Sequence, residues 1–290
     1  IAKPSEVTPL TANLLAETLL ELELPKGVFN LVHGLGPEVG QAILEHTKIK
    51  AISFTGGTET GRIVARTAAP MFKKLSLELG GKNATIILKD AELENAVDGA
   101  VRAAFSNSGQ VCLCGSRIFI DASIAEQFTH KFVEKVNAIH IGDPMDENTV
   151  MGSVISPEHL LKVESYIELA IEEGGTVLTG GTREMTGFKG PQGIGAFLLP
   201  TVVGDLPHTS RCATEEIFGP MVTVHTFTSE TEALKMVNAS EYGLAGSVWT
   251  KDLERGRAFS EKIDSGIVWV NTWLHRDLRT PFGGVKNSGV

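Results

Sequence analysis

Glu78, in the stretch Glu78-Leu79-Gly80-Gly81-Lys82, and Cys112, in Gly109-Gln110-Val111-Cys112, supply the two halves of covalent acyl chemistry. A thiolate can attack a carbonyl carbon, and a carboxylate can activate the water that later releases the acyl group. Both side chains are flanked by glycine, which lets backbone come close to a ligand. Neither would signify alone, because a single cysteine is more often a small buried hydrophobe than a nucleophile. Cys114 and Cys212 are read in that ordinary way. Glu215 reads as a solvated neighbour of Glu216, and Tyr166 and Trp249 read as packing residues. The eight histidines show no H-E-x-x-H or other close ligand pairing, so no metal site is expected.

The elements that must carry this pair alternate between β-rich runs and helical patterns. Thr8-Pro9 offers a capping hydroxyl and a first-turn proline, followed by Leu10, Leu14 and Leu15 at helical spacing. Pro25-Lys26-Gly27 ends that helix. A strand is predicted over 28–32, a helix from Pro37 to about His46, a strand over 51–54, a helix from about Thr58 to Ala68, and a strand over 75–78. Beyond Gly80-Gly81 the rhythm resumes with a strand over 85–88, a helix over 92–106, a strand over 118–120 and a helix over 123–139. A helix near 157–173 and strands over 222–225 and 267–270 follow. The β-α-β order implies a parallel sheet with right-handed crossovers. The glycines at 80 and 81 mark a candidate hinge between two α/β domains.

Two glycine loops could hold phosphate. Gly34-Leu35-Gly36-Pro37-Glu38-Val39-Gly40 follows a predicted strand and opens a helix, but its spacing is one residue longer than the dinucleotide fingerprint. Phe54-Thr55-Gly56-Gly57-Thr58 also joins a strand to a helix, where free N–H groups and the helix dipole favour a pyrophosphate. Either could be only a tight turn. Two in succession favour a nucleotide.

Composition sets outer limits. The chain has 290 residues, with 42% hydrophobic and 21% charged, as in an ordinary soluble α/β protein. A net charge of −9 argues against nucleic acid or an anionic membrane as the main partner. No apolar run approaches membrane-spanning length. Three cysteines make no disulfide framework, so a reducing, cytoplasmic setting is expected.

In its motifs the chain resembles the aldehyde dehydrogenase superfamily. The resemblance rests on Lys3-Pro4-Ser5-Glu6-x-Thr8-Pro9, Phe54-Thr55-Gly56-Gly57, Glu78-Leu79-Gly80-Gly81-Lys82-Asn83, Gly109-Gln110-x-Cys112, Glu215-Glu216-Ile217-Phe218-Gly219-Pro220 and Pro281-Phe282-Gly283-Gly284, in family order over essentially the whole chain. It implies an α/β fold with a Rossmann-type cofactor domain and a second α/β catalytic domain. Residues 1–79 would be the C-terminal part of the NAD-binding domain, 80–280 the catalytic domain, and 281–290 a segment returning towards the cofactor domain. The implied activity is the NAD(P)-dependent oxidation of an aldehyde to a carboxylate.

Carried onto this sequence, Cys112 is the expected nucleophile, passing through a thiohemiacetal and a thioester, and Glu78 is the base that activates the hydrolytic water. The Cys112 backbone N–H would help hold the oxyanion, a contribution of roughly 3 kcal/mol per donor. Lys3 and Glu6 match residues that bind the adenosine ribose, and a carboxylate at Glu6 favours NAD over NADP by repelling a 2′-phosphate. Gly36, Gly56, Gly57 and Leu79 complete the expected cofactor contacts, with Gly57 standing where many relatives carry serine. Glu216 and Phe218 resemble the pair that places the nicotinamide ribose and ring.

The segment Asn271-Thr272-Trp273-Leu274-His275-Arg276-Asp277-Leu278-Arg279-Thr280-Pro281-Phe282 speaks to the substrate. Family members line their substrate entrance with this loop. With Gln110-Val111-Cys112-Leu113-Cys114 it is similar to the 2-aminomuconic and 2-hydroxymuconic semialdehyde dehydrogenases. Arg276, with Phe282, is the expected reader of a distal carboxylate through a bidentate pair. Arg279 could be the reader instead, or either arginine could brace the loop through Asp277. Family members also run beyond both ends of this chain, so an internal fragment is expected, with the oxyanion-hole asparagine and a second substrate-binding arginine upstream and a pairing strand downstream. A homodimer or homotetramer is the expected state of the full-length protein. The competing readings are an enzyme for another aldehyde, such as betaine aldehyde or a fatty aldehyde, and a non-catalytic relative that keeps the fold.

Overall fold

A computed structural model describes residues 1–184, 189–190 and 193–290. The chain divides into two compact units, Ile1–Leu77 and Glu78–Val290.

In the first unit the opening helix spans Leu10–Glu21. Pro9 is its N-cap in a helical conformation, and the Thr8 hydroxyl makes no cap bond there. Leu10, Leu14, Leu15 and Leu20 are exposed along it. The strand predicted over 28–32 is absent. Only a single bridge joins Ala2 to Leu31, through Ala2 N–H to the Asn30 carbonyl and Val32 N–H to the Ala2 carbonyl. Pro4, which has no N–H to donate, follows two residues later and cannot extend the ladder. The glycine loop after it opens as a π-turn over Gly36–Gly40 and becomes α-helical only at Gln41–Glu45. Gly34 is required there. Its φ of 146° suits glycine, and a Cβ would stand 2.3 Å from Val39 Cγ2. Strands Ala51–Thr55 and Lys74–Glu78 pair as a two-stranded sheet, with helix Thr58–Ala68 between them in sequence. That helix buries Gly61, Val64 and Ala68 on one face.

The second unit is built on a seven-stranded sheet. Its order is Ile267–Val270, Ala245–Trp249, Ala84–Ile87, Arg117–Asp121, Met221–Phe227, Thr201–Gly204 and Thr176–Thr179. Every neighbouring pair is parallel except the last, so the expected parallel sheet carries one antiparallel edge strand. The central strands are apolar on both faces because helices cover both. Ile87, Ile118 and Ile120 face helices Leu93–Phe105 and Ala125–Asn137, where Phe105, Phe128 and Phe132 stack. Ile86 and Phe119 point the other way, onto Phe227, Ala233, Val237 and Phe259. This two-residue alternation is the strand period.

Strands over 176–179, 201–204 and 245–249 and helices Glu230–Asn238 and Leu253–Ser260 lie where the sequence pattern announced no element. Among the described residues no helix is long and apolar enough to cross a membrane.

Candidate active site

The loop from Glu78 to Asn83 leads into the central strand Ala84–Ile87. Its two glycines are small because two neighbours press on them. A Cβ on Gly80 would meet Glu216 Oε2 at 2.4 Å, and one on Gly81 would meet the Cys112 carbonyl oxygen at 2.9 Å. Gly81 N–H donates to Glu216 Oε1 at 3.0 Å. Asn83, buried at the loop's end, donates from its side-chain amide to the carbonyls of Cys112 (2.7 Å) and Cys114 (3.0 Å). Its Oδ1 accepts from Ala245 N–H at 2.9 Å. One side chain therefore ties the Glu78 loop, the cysteine loop and a neighbouring strand together.

The cysteine loop is held in a rare backbone conformation. Helix Leu93–Phe105 ends, and Asn107, Ser108 and Gly109 follow with φ of 51°, 55° and 71°. For non-glycine residues such angles cost about 1–3 kcal/mol each and persist only where surroundings hold them. Ser108 Oγ donates to the Gly152 carbonyl (2.9 Å), and Gln110 Oε1 accepts from Ile155 N–H (2.9 Å). Gly109 is irreplaceable here, since a Cβ would lie 2.1 Å from the Gly219 carbonyl oxygen. Cys112 emerges half-buried with a free thiol. Cys114 and Cys212 are free and buried.

Cys112, Glu216 and Phe218 line one small cavity of about 20 Å³. The loop bearing Glu216 and Phe218 is fixed from outside. Lys162 Nζ donates to the Glu216 carbonyl at 3.2 Å, and the His159 ring lies 2.6 Å from the Phe218 carbonyl oxygen. Glu215 is not the merely solvated residue expected. It takes Arg211 through two hydrogen bonds and the Tyr166 hydroxyl at 2.6 Å, because the short helix Arg211–Thr214 places Arg211 one turn before it.

Glu78 is half-buried, and its Oε2 has no hydrogen-bond partner among the described residues. Its backbone bridges to Gly289, while Leu79 is buried and donates its N–H to the Ser288 carbonyl at 2.8 Å. Ser288 in turn donates to the Gly80 carbonyl (2.7 Å) and accepts from Gly243 N–H (3.0 Å). The segment after Phe282 thus positions the Glu78 loop. Sequence reading assigned no role to Ser288, Trp273, Lys162 or His159. Asn83 and Trp273 stood inside motifs that carry the family resemblance, but without a role of their own.

The electrostatics keep both reactive groups protonated longer than usual. Burial, then the carboxylates of Glu216 and Glu78, push the Cys112 thiol up; its own backbone amide and the Arg276 guanidinium pull the other way. Burial raises Glu78, and it raises Glu216 against the opposing Gly81 N–H and the charges of Lys162 and Lys82. A base with a raised pKa and an unoccupied oxygen is suited to accept a proton from water. Burial pushes Cys114 to about 12, so it does not compete as a nucleophile.

The entrance loop separates its two arginines. Arg279 is locked to Asp277, with Nη2 at 2.6 Å from Oδ2 and Nε at 2.9 Å from Oδ1. Arg276 lies over the Phe282 ring, 4.6 Å from its centroid, and pairs with no carboxylate among the described residues. The loop is anchored by Trp273, whose indole N–H donates to the Leu113 carbonyl at 2.9 Å. Cys112, Trp273 and Phe282 belong to one apolar cluster.

In the first unit, Lys3 Nζ gathers the carbonyls of Pro4 (2.7 Å) and Gly34 (2.9 Å) and the carboxylate of Glu6 (3.3 Å). Lys3, Glu6 and the loop leading to Gly36 are therefore neighbours. Gly56 and Gly57 form the turn before helix Thr58–Ala68, with Gly57 as an N-cap that has no side chain to satisfy the first-turn N–H groups. Those donors are open to an anion.

The aldehyde dehydrogenase family model matches residues 1–290, and the chain belongs to that family. It is 46% identical over 290 residues to the 2-aminomuconic semialdehyde dehydrogenase of Mus musculus, covering 100% of this chain and 60% of the relative. Over 286 residues it is 46% identical to the 5-carboxymethyl-2-hydroxymuconate semialdehyde dehydrogenase of Escherichia coli, covering 99% and 60%. The crystal structure of betaine aldehyde dehydrogenase from Staphylococcus aureus in complex with NAD+ superimposes with a TM-score of 0.95 at 41% identity, over 99% of this chain and 56% of that one. The chain thus spans about three fifths of the length of the curated relatives it matches.

Proposed function

We propose that the full-length protein oxidises a carboxylated semialdehyde to the corresponding acid, with NAD as acceptor. The observation that carries this is the shared cavity of Cys112, Glu216 and Phe218, with the raised, half-buried Glu78 on the adjoining loop. The chain's residues fit the cofactor. Within the first unit Lys3 and Glu6 suit a ribose diol and the uncapped helix start at Gly57 suits a pyrophosphate; within the second unit, taken by itself, Glu216 and Phe218 suit a ribose and a flat ring. When bound, NAD supplies the hydride acceptor.

The remaining chemistry belongs to protein side chains. Cys112 Sγ, as thiolate, adds to the aldehyde carbon to give a thiohemiacetal. Loss of hydride leaves a thioester on the same sulfur, and Glu78 takes a proton from the water that hydrolyses it. The Cys112 N–H is one donor for the oxyanion. Arg276, with its guanidinium over the Phe282 ring and no competing carboxylate among the described residues, reads the substrate's distal carboxylate. The muconic semialdehyde relatives act on substrates of that kind. Their names support a muconic semialdehyde as the substrate class: 2-aminomuconate or 2-hydroxymuconate 6-semialdehyde, with one carboxylate, or a 5-carboxymethyl-2-hydroxymuconate semialdehyde, with two. A cationic substrate such as betaine aldehyde would be repelled by Arg276. A reducing, cytoplasmic setting and a homo-oligomer complete the proposal.

The test is NADH formation by the full-length protein with a panel of aldehydes that includes a muconic semialdehyde. Turnover of the carboxylated member, lost in Cys112→Ala, is the expected result. No NADH with any aldehyde from a folded protein would favour a non-catalytic relative.

A further inference from the structure

Arg276 is not alone. Arg102 stands on the last turn of helix Leu93–Phe105, the helix that runs directly into the cysteine loop. Its guanidinium carbon lies 5.9 Å from the centroid of the Trp273 ring. Trp273 is 4% exposed and its N–H is committed to the Leu113 carbonyl, so the face offered to Arg102 is fixed. Two guanidinium groups therefore rest on two aromatic members, Trp273 and Phe282, of the cluster that contains Cys112.

Neither arginine is neutralised. Arg62, Arg183, Arg211, Arg255 and Arg279 each pair with a carboxylate, whereas Arg102 and Arg276, like Arg66, Arg117 and Arg257, pair with none among the described residues. What sets Arg102 and Arg276 apart is their place on the aromatic side chains of the Cys112 cluster. The carboxylate one turn upstream of Arg102, Asp98, is committed to Lys135. In a chain of net charge −9, two unpaired arginines on one aromatic cluster need a reason. Stacking holds each side chain and leaves the fork of N–H donors free for a planar anion.

Building on the carboxylated-semialdehyde reading, we propose that Arg102 is a second specificity-determining residue and that the substrate carries two carboxylates, one met by Arg276 and the other by Arg102. A substrate with one carboxylate would leave Arg102 without an anionic partner. One with two would neutralise both.

The experiment uses the full-length protein with three aldehydes of similar length: neutral, monocarboxylated and dicarboxylated. Arg102→Ala should raise KM for the dicarboxylated aldehyde by about tenfold or more, as loss of a charge-assisted contact requires, with kcat within about twofold. KM for the other two should stay put. Arg102→Lys should restore part of the loss, since it keeps charge without the stacked fork. An equal rise on all three aldehydes would assign Arg102 to packing Trp273, and no rise on the dicarboxylated one would remove it from the site. Either result overturns the proposal. Arg276→Ala, measured in parallel, tests the parent reading by itself, because it should weaken both carboxylated aldehydes and spare the neutral one.

Discussion

The Asn83 side-chain amide donates to the main-chain carbonyl of Cys112 at 2.7 Å, across 29 positions of sequence. The bond fixes where the cysteine loop stands relative to the strand on which the second unit is built. The same amide holds the Cys114 carbonyl, and its oxygen is filled by Ala245 N–H. The residue is fully satisfied, and each of its partners is a buried or half-buried backbone group.

Asn83→Ala should therefore leave those groups unpaired and destabilise the protein by about 2–4 kcal/mol, on the scale of about 1–3 kcal/mol per orphaned buried group. Asn83→Asp keeps the shape and the acceptor but cannot donate. Activity should fall in both variants more than KM for NAD rises, because the loop that moves carries the nucleophile. Denaturant unfolding and steady-state kinetics on the same preparations check this. Unchanged kcat in Asn83→Asp would mean that the left-handed loop at Asn107, Ser108 and Gly109 holds itself.

The ionisation of Cys112 should be visible by alkylation. Burial and two carboxylates hold the thiol up, so iodoacetamide reactivity should keep rising with pH beyond the ordinary cysteine range. Removing a negative neighbour favours the thiolate. Glu216→Gln and Glu78→Gln should therefore move the alkylation profile to lower pH, with Glu216→Gln the larger because that carboxylate acts more strongly. Arg276→Ala should move it to higher pH, since the guanidinium stabilises the thiolate. Profiles that superimpose in all three variants would show that burial alone sets the value.

Glu78→Gln separates the two halves of the reaction. Acylation needs Cys112, whereas deacylation needs the base, so the variant should release about one equivalent of NADH per site in a burst and then stall. A fall of about 10²–10⁴-fold in steady-state turnover is the usual contribution of a general base. Mass spectrometry should find the acyl group on the Cys112 peptide. A variant with neither burst nor turnover would place Glu78 in the first step instead.

Much of the site was legible because its chemistry is local in sequence. Glu78 and Cys112 each stand in a short stretch whose glycines are required by close contacts, Gly81 against Cys112 and Gly109 against Gly219. What could not be read is what the fold adds between distant segments. The amide of Asn83 has many conceivable partners, and only the sheet order selects Cys112 and Ala245. Strand Ala245–Trp249 is rich in alanine, glycine and serine and carries little strand propensity. It is a strand because Ala84–Ile87 and Ile267–Val270 flank it. The converse holds at 28–32, where good β-formers meet only Ala2 and form no strand.

Acid should act on one buried residue that does not line the cysteine cavity. His225 is 5% exposed on the strand Met221–Phe227, stacked on Phe119, with ring nitrogens engaged by the Leu206 carbonyl and Thr223 Oγ1. Burial first, then the nearby charges of Arg117, His208 and Lys82, carry its pKa down to about 3, against the pull of the Leu206 carbonyl. The unfolded chain binds this proton from about pH 6.5 downward, while the folded chain refuses it until about pH 3. Between those values the unfolded state holds more protons, so the stability contributed by neutral His225 is complete above about pH 6.5 and is lost progressively towards pH 3. His225→Gln, which cannot titrate, should be less stable than the parent at pH 7.5 but lose less on acidification to about pH 4.5, the direction that linkage requires. Urea unfolding at the two pH values gives both slopes. Parallel slopes would show that carboxylate groups elsewhere, and not His225, set the acid limit of the fold.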